Sequence, residues 1–207
     1  MGAVAVGVVD VVGVVGTVGV VGTVSVVGTV GVVGVAGAVG TVGTVGVEGV
    51  GKSTQISMLD SYLVSKGLST EVLREPGSTK VGENIRDILL NTSADLSNES
   101  ELLLMFAARA QLISEKINNS DKDIVLFDRF YDASMAYQGF GRGLPQEIIK
   151  SLISFTKCPV PDATFLLDIE VEEGFKRKFN DKKDRIESSG EVFFEQVRSG
   201  YLALSKN

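Results

Sequence analysis

No stretch of the 207 residues restricts the fold as strongly as Gly46-Val47-Glu48-Gly49-Val50-Gly51-Lys52-Ser53, which fits the pattern G-x-x-x-x-G-K-[ST]. In a region so rich in glycine the pair Gly46 and Gly51 would mean little alone. Glu48, Lys52, Ser53 and Thr54 make the match informative, because they end a run without charge that began after Asp10. Each residue type has a physical use. Small residues let backbone N–H groups curl around a phosphate, Lys52 reaches its outer oxygens, and the Ser53 hydroxyl offers an oxygen to magnesium. Such a loop needs a strand before it and a helix after it. Ile56, Leu59 and Leu63 recur at helical spacing up to Gly67, so a helix is predicted whose first amides point at the anion. The preceding strand, Val39 to Val45, is the weaker half, since Gly40 and Gly43 interrupt it.

Upstream lies a segment of a different kind. From Val14 the chain repeats VVGTVG, VVGTVS, VVGTVG and VVGVAG, a hexapeptide period that decays toward the loop. Valine favours strand, but glycine at nearly every third position removes the side chains a sheet would pack, and poor order is expected. Val11 to Val47 is long enough to cross a membrane, yet it has no basic flank and no Lys or Arg anchor, so neither a span nor a signal peptide is expected. The organisation read from this contrast is a low-complexity leader over 1–38 and a folded unit over 39–207.

The net charge of -6 argues against a surface that coats nucleic acid, so any phosphate site must be local. The absence of histidine excludes imidazole catalysis and His-ligated zinc. One cysteine, Cys158, excludes an intrachain disulfide and suits the reducing cytoplasm.

Three further strand-like runs, Thr70 to Leu73, Ile124 to Phe127 and Ala163 to Leu167, alternate with helical stretches. The alternation predicts an α/β fold, a parallel sheet with helices on both faces, whose ligands sit beyond the carboxyl ends of the strands. Those ends carry Arg74-Glu75-Pro76-Gly77, Asp128-Arg129 and Asp168. Asp128 suits a magnesium-holding carboxylate or a strand-end cap, and Arg129 suits a forked phosphate contact. Residues 98–117 read as a helix with Asn98 as N-cap and Glu101 three residues on. Leu102, Met105, Phe106, Arg109 and Ile113 share one face, where an arginine is ordinarily a snorkelling side chain.

From about Gly46 to Leu204 the chain resembles the thymidylate kinase family, closest to the bacterial type. The motifs are GVEGVGKST, REPGST, ELLLMFAARAQ, DRFYDASMAYQGFGRG, and DRIE followed by FFEQVRSGYLAL. The resemblance implies a P-loop nucleoside monophosphate kinase fold that transfers the γ-phosphoryl of ATP to dTMP with Mg2+. It assigns the ATP phosphates to Gly46, Val47, Glu48, Gly49, Val50, Gly51, Lys52, Ser53 and Thr54, the sugar hydroxyl to Glu48, and the metal to Ser53 and Asp128. The dTMP phosphate falls to Arg86 and Arg129, with Arg74 and Glu75 shaping that end. Thymine falls to Arg109, Ser134 and Gln138. A cytoplasmic enzyme is implied, in a family that tends to dimerise.

The chain departs from the family pattern in three places. An aromatic residue is common four positions before the base-reading arginine, whereas Met105 stands there and Phe106 stands at three; both are candidates to stack on the ring, with Phe106 preferred as the flatter. Gly49 occupies the loop position where another type keeps an arginine, so positive charge must come from a lid around 174–190, which holds Lys176, Arg177, Lys178, Lys182, Lys183 and Arg185. Arg177 and Arg185 join Lys52 and Arg129 as the catalytic candidates. Members also continue past YLAL through elements that help enclose adenine, so part of the adenine side is expected to be missing. Two other readings remain: a kinase of a different nucleoside monophosphate, and an impaired kinase core fused to a self-associating repeat, since glycine and valine runs of low charge are prone to aggregate.

Overall fold

The computed structural model describes residues 25–27, 40–178 and 183–206. Its strands are β1 (Ser25–Val27), β2 (Gly40–Val45), β3 (Thr70–Arg74), β4 (Ile124–Asp128) and β5 (Ala163–Asp168). They form one sheet in the order β1-β5-β2-β4-β3, with β5, β2, β4 and β3 parallel. The helices are α1 (Lys52–Ser65), α2 (Lys80–Asn91), α3 (Asn98–Glu115), α4 (Tyr131–Ser134), α5 (Gln146–Phe155), α6 (Val171–Arg177) and α7 (Glu191–Leu204), and α4 runs on into a π-helical stretch over Met135–Gly141.

The three strands read from apolar runs each extend one residue further, to Arg74, Asp128 and Asp168. In β4, Val125, Leu126 and Phe127 are all buried; because neighbouring strand residues face opposite ways, both faces of the sheet are covered. Val125 and Phe127 meet Leu112 of α3 and Leu73 of β3, while Val45 and Leu166 join Phe194, Val197 and Tyr201 of α7 in a second cluster.

The glycine-interrupted strand takes a central place. Gly43 of β2 lies beside Thr164 of β5, and a Cβ there would come within 3.1 Å of Thr164 Oγ1. The missing side chain therefore permits a close crossing between neighbouring strands.

One expectation changes. Helix α3 is capped by Ser97, whose side chain accepts from the Ser100 amide at 3.1 Å, and not by Asn98. Glu101 consequently does not fold back to complete a cap; it is almost wholly buried. The four expected strands do form a parallel sheet, to which β1, from within the repeat, is added antiparallel along β5, with Ser25 opposite Asp168. The rest of the leader over 1–38, and with it the expectation of poor order, lies outside the described residues, as do lid positions 179–182, including Lys182.

Candidate active site

Beyond the carboxyl ends of β2, β3 and β4 lies a cavity of about 710 Å³. The phosphate loop forms its floor. Val47 and Val50 turn their side chains into the core, which leaves the backbone from Gly46 to Gly51 to line the turn. Gly49 has a left-handed backbone (φ 70), and a Cβ on it would overlap the Gly174 carbonyl of α6. The contact is reciprocal, since a Cβ on Gly174 would overlap the Glu48 carbonyl oxygen. An arginine side chain at position 49 has no room here, which gives that departure from the family pattern a packing cause.

Lys52, the first residue of α1, is buried, and its Nζ donates to the carbonyls of Gly46 at 3.1 Å and Val47 at 2.7 Å. Burial, aided by the nearby Arg129 charge, pulls its ammonium from 10.5 down to about 7. Beside it, burial acts to raise the Glu48 carboxyl, but Arg129, Lys52 and Lys178 together hold it down to about 2. Glu48 pairs with Arg129 and accepts from the Tyr137 hydroxyl at 3.3 Å. The Arg129 guanidinium stacks 4.9 Å from the centre of the Tyr137 ring, and its backbone, in the left-handed region (φ 68), donates an amide hydrogen bond to Thr44 O at 3.0 Å.

Arg74, Glu75 and Arg86 bring β3 and α2 to the cavity. Arg74 forks onto Glu83 at 3.0 and 3.1 Å, and Arg86 donates to Pro76 O at 3.0 Å. Arg109 does not snorkel. It is buried at 3% exposure, donates through Nε to both Glu75 oxygens at 3.1 and 2.8 Å, and reaches Phe130 O and Ser134 Oγ through Nη2. Its Nη1 is buried with no hydrogen-bond partner among the described residues. Burial outweighs the pairing with Arg109 and pushes the Glu75 carboxyl above its ordinary range.

Met105 forms part of the cavity wall and Phe106 does not. The preference for Phe106 is thereby corrected, for a physical reason. Neighbouring helix positions point about 100° apart, so only one of the two can face the ligand; Phe106 lies instead under the Arg109 guanidinium, 4.6 Å from ring centre to Cζ. Ser134 and Gln138 both line the cavity.

Ser53 Oγ donates to Asp128 Oδ2 at 3.3 Å, and both residues face the same space. Among the described residues no cluster of three or more Asp, Glu, His or Cys side chains could hold a metal by itself. Two oxygen donors beside a phosphate loop nevertheless suit Mg2+, a hard cation that takes oxygen ligands and needs few of them from the protein.

The two lid candidates part company. Arg177 lines the cavity and pairs with Glu173 at 3.4 Å. Arg185 turns away from it: its Nε donates to Leu89 O at 2.7 Å and its Nη2 to Glu101 Oε2 at 2.6 Å. Asp168, at the end of β5, is taken up by Arg198 of α7 at 2.8 and 2.9 Å. Sequence reasoning left out Tyr137, and it quoted Lys178 only as one of a charge run; both meet Glu48, Lys178 at 3.6 Å. Nothing local marks either one, because the partner lies far away in the chain.

A parallel sheet with a phosphate loop at the end of β2, and arginines from β3, α2 and α3 around the same cavity, is the plan of a P-loop nucleoside monophosphate kinase. The family model described as thymidylate kinase matches residues 46–207, and the chain belongs to the thymidylate kinase family. It is similar to the thymidylate kinase of Prosthecochloris aestuarii, 44% identical over 171 residues that cover 76% of this chain and 77% of that one. The thymidylate kinase of Pelodictyon phaeoclathratiforme is 45% identical over 173 residues, covering 77% and 79%. The crystal structure of thymidylate kinase from Ehrlichia chaffeensis superposes with a TM-score of 0.66 at 30% identity, covering 81% of this chain and 82% of that one. Among the described residues no helix is long and apolar enough to cross a membrane.

Proposed function

We propose that the chain transfers the γ-phosphoryl group of ATP to dTMP, giving dTDP, within a catalytic unit of residues 39–207 whose lid spans 174–190. The observation that carries this reading is Arg109, which lines the cavity that also contains the phosphate loop and whose buried Nη1 has no hydrogen-bond partner among the described residues. A buried donor left unpaired is costly, and a ligand carbonyl at that point would satisfy it.

The loop amides and Lys52 hold the ATP phosphates in this account, while Arg129 and Arg86 hold the phosphate of dTMP, with Arg74 and Glu75 shaping that end of the site. Glu48 takes the sugar hydroxyl. Arg109, Ser134 and Gln138 read the base, with Met105 against the ring. Ser53 and Asp128 would hold Mg2+, which would supply positive charge against the phosphate oxygens. Lys52, Arg129 and Arg177 surround the group in transfer with positive charge, and no general base is required of the protein. Positioning and charge neutralisation supply the catalysis. Arg185 serves by bracing the site from behind. The cytoplasm is the setting supported by the single, half-buried Cys158; a homodimer is the assembly implied by the family resemblance.

A coupled assay of ADP formation tests the reading across dTMP, dUMP, AMP and CMP. Turnover is expected to be fastest with dTMP and about 10- to 200-fold less efficient with dUMP, the range one methyl group in an apolar pocket commands. Faster use of AMP or CMP than of dTMP overturns it.

Lys52 adds a pH signature. With its pKa drawn down to about 7, the ammonium is mostly deprotonated a unit above that pH, and an arriving triphosphate favours the charged form. Binding of Mg-ATP is therefore expected to take up close to one proton at pH 8, and affinity to weaken as pH rises from 7 toward 10. Calorimetry in buffers of different ionisation enthalpy reads that proton directly, and zero uptake contradicts the assignment.

A further inference from the structure

Glu101 occupies an unusual position for a carboxylate: on α3, at 1% exposure, outside the cavity lining yet one residue removed from it. Three donors converge on it. Gln138 Nε2 lies 2.9 Å from Oε1, Arg142 donates at 3.2 and 3.1 Å to the two oxygens, and Arg185 donates to Oε2 at 2.6 Å. Burial works to raise this carboxyl, but the hydrogen bonds from Arg142, Gln138 and Arg185 prevail and hold it below its ordinary value. It is thus an ionised group that can only accept hydrogen bonds.

That restriction has a stereochemical result. A side-chain amide has two faces, NH2 and C=O, and a half-turn about its last bond exchanges them. Against an acceptor-only carboxylate just one of the two orientations is stable. Gln138, itself buried and part of the cavity wall, must turn its NH2 inward to Glu101 and leave its carbonyl for the cavity. Arg109 lines the same cavity, and its buried Nη1 is a donor without a partner among the described residues.

We propose that Glu101 is a positioning residue for base specificity. By fixing the Gln138 amide it makes the cavity present one acceptor beside one donor, the complement of a pyrimidine bearing a C4 carbonyl and an N3–H. A pyrimidine with a C4 amino group and a bare N3 meets donor against donor and acceptor against acceptor. The inference rests on the thymidylate reading above and deepens it.

The test compares kcat/KM for dTMP, dUMP and dCMP in the full chain and in Glu101→Gln. The new amide can donate to Gln138 and so permits the half-turn. The dTMP to dCMP ratio is expected to fall at least tenfold, while the dTMP to dUMP ratio, which reports only the methyl group, stays fixed. A merely structural role would lower all three values together and leave both ratios in place, and that result overturns the proposal. If Glu101→Gln does not fold, Gln138→Met, which keeps both arginines on Glu101, is expected to lower the same ratio; an unchanged ratio there is equally fatal. Where both variants fold, Glu101→Gln added to Gln138→Met is expected to change the ratio no further, and an additional fall contradicts action through Gln138. Failure here is separable from failure of the underlying function. An unaltered chain with no preference for dTMP over dCMP removes both, whereas a preference that survives the substitutions removes only the role of Glu101.

Discussion

Replacing Lys52 with alanine is expected to abolish dTMP-dependent ADP formation, lowering kcat by about 10²–10³ or more, while the folded chain loses no stability. The two halves of this expectation have one cause. The ammonium is buried against two carbonyls and its pKa is drawn from 10.5 to about 7, so the folded chain holds a charge it would rather release. Its folded-state pKa lies below its unfolded one, so between those values the unfolded chain binds more protons and stability rises with pH. Below about pH 7 the cost of the buried charge is fully present. Alanine removes both the cost and the pH slope. Thermal melts from pH 6 to 10, run beside a turnover assay, check both halves. Retained turnover would remove Lys52 from the chemistry, and a large loss of stability would show that its main work is structural.

Gly49→Ala is the second substitution of large expected effect. An alanine in the left-handed region costs about 1–2 kcal/mol, and the added methyl group must displace backbone of α6, an overpacking of about 1–3 kcal/mol. Denaturant titration is expected to show a loss of about 2 to 5 kcal/mol. Affinity for Mg-ATP is expected to fall as well, because the loop that grips the phosphates must shift or α6 must leave it. A variant with unaltered stability and unaltered nucleotide binding would mean that α6 does not rest on the loop in solution.

Much of the site was legible because it is written in local spacing. The phosphate loop, the charged residues ending β3 and β4, and the alternation of strands with helices each depend on residues close in sequence. What escaped depends on distant partners. Met105 and Phe106 cannot be told apart until the position of Arg109 above one of them is known. Glu101 was read as half of a helix cap because its spacing suits one, yet its partners lie 37, 41 and 84 residues away. Arg185 was placed among lid cations by neighbourhood, and its carbonyl and carboxylate partners on α2 and α3 draw it behind the site instead. The strand through Gly40 and Gly43 reads from sequence as the weaker half of the motif; what suits Gly43 to its place, the nearness of Thr164, belongs to another strand.

The short strand β1 bears on the other fate that a valine and glycine repeat invites, growth into fibres. A sheet border with bare amides and carbonyls is a template for any passing chain of similar character. Here three residues of the molecule's own repeat cover Leu166 to Asp168 of β5, so the border passes to a strand of only three residues, too short to offer an incoming copy much to pair with. The opposite border, β3, stays unpaired among the described residues, but Glu71 there reaches Lys116 at 3.4 Å and Arg74 reaches Glu83, and charges of this kind discourage recruitment. The segment that looked most hazardous for solubility thus supplies a guard for one flank of the sheet.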